Sequence, residues 1–217
     1  MGDGRLVHSL TNGVYKFCEW VTRLAYVNLL WIFFTVLGLG FFGWMPASIA
    51  LFSITKKWVN GENDIRIFPL FWASYKQDWW KGNILGMIFM LIFLLLYLDF
   101  RIIGILDGPT TLLLFFIFGL FLFFSTTFLY LLPVYTYYDL KLLQCIKYAF
   151  VIGFLRPAHT VGIFMAVFSI AFLASLHITL LLFFSISTLA FVITWLACKA
   201  FGSIDHRLKK VTQQRIG

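Results

Sequence analysis

The chain has 217 residues, of which 61% are hydrophobic, 20% aromatic and only 12% charged. A water-soluble domain carries about 25% charged residues, and the apolar residues here fall in blocks of bilayer-spanning length, so a soluble globular domain is excluded and membrane spans are predicted. The net charge of +8 comes from Lys and Arg flanking those blocks, as juxtamembrane anchors do, and offers no basic face to nucleic acid.

Residues 1–23 lack the apolar core and small-residue cleavage site of a signal peptide. They are expected to form a cytoplasmic segment, with the first span acting as the insertion signal. The stretch that follows, residues 28–58, has no charge until Lys56. It is long for one span and short for two. One reading is a single kinked helix. The other is a hairpin turning near residues 41–46, with Pro46 as the structural turn that opens a short second helix, and Lys56 and Lys57 reaching back to the headgroups. Charge weighs between them: the hairpin gives six spans and keeps every Lys and Arg but Arg101 on one side, whereas a single helix moves Arg5, Lys16 and Arg23 across. The positive-inside rule favours six spans with both termini cytoplasmic.

Next comes "IRIFPLFWASYKQDWWKG", in which Phe68, Phe71, Trp72, Tyr75 and Trp79 recur at helical spacing. This predicts an amphipathic helix lying on the cytoplasmic membrane surface, and marks those five aromatics as a candidate anchor or partner surface. Residues 83–106 and 109–133 read as two spans joined by a tight Asp107-Gly108-Pro109 turn. A second amphipathic surface helix is expected within "DLKLLQCIKYAFVIGFLRP". Residues 157–199 suffice for two more spans, turning near His177, before the basic cytoplasmic tail at 202–217. The recurrence of a span, a surface helix and a further span suggests an internal duplication. The fold expected is therefore all-α: one polytopic transmembrane helical bundle of a single integral membrane domain over 1–217, with two amphipathic surface helices.

Candidate polar membrane residues are Asn28, Asp99 and Arg101. Ionisable groups inside a span are costly and usually functional, but Asp99 and Arg101 stand two apart, on different faces of a helix, near one end of their span. Gly82 and Gly86 have the spacing of close helix contact. Cys18, Cys145 and Cys198, like His159 and His177, lack metal-ligand spacing. No phosphate-cradling loop, zinc-binding helix motif or nucleophile elbow is present. The expectation is no enzyme activity, no catalytic or metal site and no cofactor.

Asn28-Leu29-Leu30-Trp31, the Gly38/Gly40 region, Pro46-Ala47 and the Trp80–Asn83 end of the aromatic loop together resemble the YesL-like family of small bacterial integral membrane proteins. That family is a domain of unknown function commonly encoded with carbohydrate importers of the ABC type. The resemblance implies a multi-pass protein of the bacterial cytoplasmic membrane with an accessory role in oligosaccharide uptake, whose partners would be the lipid bilayer and the membrane subunits of a sugar ABC importer. A homo-oligomer is compatible with it. Two alternatives stand beside this reading. One is a stand-alone or homo-oligomeric carrier or channel whose polar path would use Asn28, Thr35, Ser125, Thr126 and Thr127. The other is a membrane signalling or assembly factor acting through the basic tail.

Overall fold

The computed structural model describes the backbone at residues 3–104, 111–138 and 140–216, with side chains over these except at 3–12, 178, 180–181 and 203–216. The described residues form nine helices and no strand: α1 (Asp3–Leu37), α2 (Phe41–Val59), α3 (Ile67–Gln77), α4 (Trp79–Ile103), α5 (Thr111–Tyr137), α6 (Leu142–Leu155), α7 (Pro157–Leu176), α8 (Ile178–Phe183) and α9 (Ser185–Ile216). Five segments are long and apolar enough to cross a bilayer: Gly13–Leu37 of α1, α4, α5, α7 and Ser185–Gly202 of α9. The protein is a polytopic helical membrane bundle. The proposed Asp107-Gly108-Pro109 turn lies outside the described residues.

The opening stretch is a hairpin, but its turn falls earlier than the sequence suggests. α1 ends at Leu37 and α2 begins at Phe41. Pro46 is the sixth residue of α2, not its opening. The turn is made instead by a Schellman closure at the end of α1. Gly40 N–H donates to Thr35 O at 2.8 Å and Leu39 N–H to Val36 O at 2.9 Å, with Leu39 left-handed at φ 58°. Two glycines let the arms touch: a Cβ on Gly38 would sit 2.3 Å from Gly43 Cα, and one on Gly43 2.5 Å from Thr35 O. That backbone closeness, invisible to hydropathy, sets the turn, while Pro46 meets α4 at Gly82.

α2 is the hub. It packs against α1, α3, α4, α5 and α9, and twelve of its nineteen residues are buried. This explains its modest hydropathy. A helix surrounded by protein gains more from small residues that admit close neighbours than from bulky apolar ones, and α2 supplies Gly43, Ala47, Ser48, Ala50 and Thr55. α4 comes close where it offers its own small residues: Gly82 faces Pro46 and Ile49, and Gly86 faces Met45. α9 does the same with Ser187, Ala190, Thr194 and Ala197, all buried.

α3 does form at the aromatic segment, with Pro69 in its first turn. It is not laid flat across the end of the bundle. Ile67 lies beside Arg23 and Tyr26 of α1, while the Tyr75 hydroxyl donates to Phe34 O at 3.1 Å near the tip of the hairpin. α3 thus runs along the hairpin, because its aromatic stripe finds more burial against α1 and α2 than at an interface. α6 folds back on α5 as α3 does on α2, so the two short amphipathic helices play similar parts. Beyond the reach of α2, α4 and α5 continue together. Leu96, Ile103 and Ile117 form a separate small core there, joined by Phe93, Phe100 and Phe124.

The segment expected as a cytoplasmic amino-terminal piece is continuous with the first span, since α1 starts at Asp3. Likewise α9 carries the helix through to Ile216. The break near His177 is as expected: His177 is extended between α7 and α8.

Candidate functional site: an amide staple across a broken helix

The polypeptide between α7 and α9 is interrupted twice, at His177 and at Phe184. Each break frees backbone groups that need partners inside a membrane. Asn28 of α1, fully buried, supplies them at the second break. Its Nδ2 donates to Leu182 O at 2.7 Å, and its Oδ1 accepts from Ser187 N–H at 3.1 Å. Both ends of one amide are therefore used on a helix end and the following helix start. Asn suits this position because it alone, with Gln, presents a donor and an acceptor side by side without charge.

Beside the staple lies an apolar cavity of about 500 Å³ between α1, α7, α8 and α9, lined by Trp31, Val167, Ala171, Leu182, Ile186 and Leu189 as well as Asn28. The Asn28 amide is already committed to backbone, so the cavity presents hydrocarbon to any occupant. Its chemistry suits an acyl chain or an apolar side chain, not a sugar or an ion.

Other buried polar groups are consumed in the same internal way. Thr55 and Thr194 share a hydrogen bond across α2 and α9 at 3.0 Å. Trp31 Nε1 donates to Ser48 Oγ at 3.0 Å. The Tyr130 hydroxyl meets Thr160 Oγ1 at 3.2 Å, and Thr160 donates to Gly153 O at 2.8 Å. Thr126 and Thr127 return to Leu122 O and Phe123 O of their own helix. Thr35 Oγ1, Trp58 Nε1 and His159 Nδ1 are buried without a partner among the described residues. The residues suggested as a polar path are not gathered: Asn28 faces α8 and α9, whereas Thr126 lies against Gly153 of α6.

The five aromatics do not form one exposed surface. Phe71 and Tyr75 are buried in the main core, and Phe34 stacks among Phe71, Trp72 and Tyr75 at 4.9–5.4 Å between ring centroids. Only Phe68 and Trp72 remain open to the surroundings. Trp79 belongs to α4 and meets Tyr75 edge-on at 5.1 Å. Asp99 and Arg101 are both exposed in the last turns of α4, and no ion pair joins them among the described residues. No cluster of three or more His, Cys, Asp or Glu that could hold a metal occurs among the described residues.

Two ties escape the sequence reading. Lys56 donates to Thr136 O at 2.8 Å, at the carboxyl end of α5 where the helix dipole favours a cation. Asp78, the residue between α3 and α4, accepts from the Tyr135 hydroxyl at 2.6 Å. The Thr55–Thr194 pair had a signal available: Ser187, Ala190, Thr194 and Ala197 follow a three-four spacing on α9, the stripe of small residues expected at a helix–helix seam.

Comparison with known proteins places these features in a family. Residues 24–100 match the model described as "Protein of unknown function, DUF624". The chain is 38% identical over 205 residues to the uncharacterized protein YesL of Bacillus subtilis strain 168, covering 94% of this chain and 97% of YesL. It is 35% identical to YteU of the same organism, over 81% of this chain and 79% of YteU, and 32% identical to YesV, over 70% and 74%.

The chain belongs to the DUF624 family.

The matched DUF624 residues take in Asn28, the hairpin tip, Pro46, all of α3 and most of α4. Ser187 and Leu182, which Asn28 binds, lie outside that region. No solved structure matches the chain significantly.

Proposed function

We propose that this DUF624 protein is a non-enzymatic accessory subunit of the bacterial cytoplasmic membrane. It packs against the membrane domains of an ABC-type carbohydrate importer, with both of its termini in the cytoplasm. The observation that carries this reading is the internal use of buried polar groups: Asn28, Ser48, Thr55, Thr160 and Thr194 are each tied to another part of the same chain. Transport of a hydrophilic solute needs polar groups free to replace its hydration. A bundle most of whose buried amides and hydroxyls are already paired, Thr35 Oγ1 being the exception among the described hydroxyls, serves better as a packing partner. Its outward faces suit that role: α4, α5 and α7 expose Leu91, Leu94, Leu98, Phe115, Phe118, Phe168 and Phe172. The family resemblance supplies the class of partner, and the concentration of Lys and Arg at one end of the spans supplies the orientation.

The test is affinity purification of the tagged full chain from its native membranes in a mild detergent, after growth on oligosaccharide. Importer membrane subunits are expected to co-purify in defined ratio. Recovery of the chain without them, together with sugar flux by the pure protein in liposomes, would replace this reading with that of a carrier.

A further inference from the structure

The turn of the α1–α2 hairpin and the first half of α4 line a common trench. Near the start of α4, Leu37, Leu39 and Phe42 share a space of about 330 Å³ with Trp79, Trp80 and Asn83. Farther along, Phe41 shares about 540 Å³ with Ile88, Met90, Leu91 and Leu94. Ile84 and Met87 line both spaces, so the two are one groove along α4.

The two ends of the groove differ in chemistry. At the end by Trp80 the groups are polar. Asn83 uses one of its two amide hydrogens on Trp79 O at 2.8 Å and keeps the other. Trp80 is 78% exposed and presents an indole N–H. Lys81 is exposed and in no ion pair among the described residues. Ile84 and Ile88, three and seven residues on, put Lys81 on the same flank of the helix as the groove. Asp78, the neighbouring carboxylate, is turned to α5, where it accepts from the Tyr135 hydroxyl at 2.6 Å. Lys76 is held over the Trp72 ring at 4.9 Å on α3. The other end is hydrocarbon and thioether alone: Phe41, Met87, Met90, Leu91 and Leu94 are all exposed there. Methionine is unbranched and adapts its shape to what lies against it. From Ile84 to Leu94, ten residues of helix rise about 15 Å, half of a hydrocarbon core about 30 Å thick. That is the reach of one acyl chain.

The wall opposite α4 is apolar where a turn would ordinarily be polar. From Val36 to Gly43 the sequence is VLGLGFFG, without one polar side chain. A turn facing water normally uses Gly, Asn, Asp or Ser, which solvate well and tolerate a left-handed backbone. Here a leucine, Leu39, occupies the left-handed position at φ 58°. The N–H groups of Gly38, Leu39, Gly40 and Phe41 each donate to a carbonyl of residues 34–39, at 2.8–3.1 Å. This wall therefore offers hydrocarbon and no backbone donor, and the donors of the groove sit together on α4.

We propose that this groove holds one anionic glycerophospholipid, with its phosphate at Lys81, Asn83 and the Trp80 indole and one acyl chain laid along Ile84, Met87, Met90 and Leu94. Charge complementarity selects the headgroup. A lysine, an amide and an indole N–H, with the nearby carboxylate turned away, favour a headgroup of net negative charge. A zwitterionic headgroup would bring an ammonium that finds no partner there. The inference is independent of the accessory-subunit reading, and it leaves the outward faces of α5 and α7 to a protein partner.

The test weighs the intact full chain by native mass spectrometry. In detergent it is titrated with phosphatidylglycerol or with phosphatidylcholine of identical acyl chains. One phosphatidylglycerol is expected to bind at several-fold lower concentration than phosphatidylcholine. Lys81→Gln should reduce that preference about five-fold, the effect of one lysine at an anionic headgroup. Lys81→Arg should keep it, and Lys57→Gln, remote from the groove, should leave it unchanged. A phosphatidylglycerol with a diazirine in its acyl chain, diluted into phosphatidylcholine vesicles that hold the protein, locates the site. Its crosslinks are expected within residues 84–94 and 37–42. Equal binding of the two lipids would show that the groove takes bulk lipid only. A preference unchanged in Lys81→Gln, or lost equally in Lys81→Arg, would overturn the headgroup assignment. Crosslinks spread evenly over the exposed residues of α5 and α7 would overturn the placement of the chain.

Discussion

Thr55 and Thr194 are 139 residues apart in sequence and share one hydrogen bond of 3.0 Å, fully buried between α2 and α9. Thr194 also donates to Ala190 O at 2.7 Å, so the pair is held by its own helix as well as by its partner. Hydroxyl pairs between membrane helices average about 0.6 kcal/mol, with a maximum near 1.7. We expect the Thr55→Val and Thr194→Val cycle to return a coupling inside that range. The measurement is thermal unfolding of the four proteins in one detergent. Additive effects would mean that each threonine acts only through its own helix.

Asn28 should be the most costly polar residue to remove. Asn28→Leu strands Leu182 O and Ser187 N–H at the α8–α9 break, and each unsatisfied buried group costs about 1–3 kcal/mol. Asn28→Asp keeps an acceptor for Ser187 but gives up the donor to Leu182, so it should also destabilise. Hydrogen exchange read at Ser187 distinguishes local from global loss: Asn28→Leu should speed it more than exchange in α5.

Two glycine-to-alanine changes should behave oppositely. A Cβ at Gly43 meets Thr35 O at 2.5 Å and Phe34 O at 2.6 Å, both backbone atoms that cannot step aside. Gly43→Ala should therefore separate α1 from α2 and reduce folded yield sharply. Gly119 has nothing within 4 Å of the added carbon. Gly119→Ala should leave the yield unchanged or raise stability by up to about 1 kcal/mol through helix propensity. Size-exclusion profiles of the two variants in detergent check both directions.

The adjacent lysines of α2 separate in the same manner. Lys56 donates to Thr136 O and stands 5.5 Å from the centre of the Tyr137 ring. Lys57 pairs with Glu62 at 2.7 Å, with both side chains substantially exposed. Exposed pairs contribute about 0–1 kcal/mol, whereas a charged group on the terminal carbonyls of a helix is worth about 1–2 kcal/mol when partly buried. Lys56→Met should lower the melting temperature measurably and Lys57→Met hardly at all. Equal losses would show that the headgroup attraction shared by both lysines outweighs the α5 contact.

Hydropathy and charge made the large apolar helices and the break at His177 legible, because both follow from single-residue properties summed along the chain. The hairpin was legible too, through the distribution of Lys and Arg. Its turn was misplaced because Pro46 is a louder local signal than Leu39, while the deciding fact is the backbone approach of Gly38 and Gly43 across the two arms. α3 shows the same limit. Its aromatic periodicity predicted an amphipathic helix correctly, but an apolar stripe reads alike whether it faces lipid or α1 and α2. Asn28 was recognisable as a polar residue with work to do, yet its partners are main-chain groups at a helix break, which have no sequence signature at all.

The central placement of α2 bears on how the molecule is made. Its Ser48, Thr55 and glycine-lined flank are sheltered by α5 and α9 as well as by α1 and α4, and α9 leaves the ribosome after all of these. Until it arrives, the amino-terminal third would hold its most buried helix without its final neighbours. Shortened versions ending after α4 should consequently be cleared by membrane quality control, even though they contain the whole of residues 24–100.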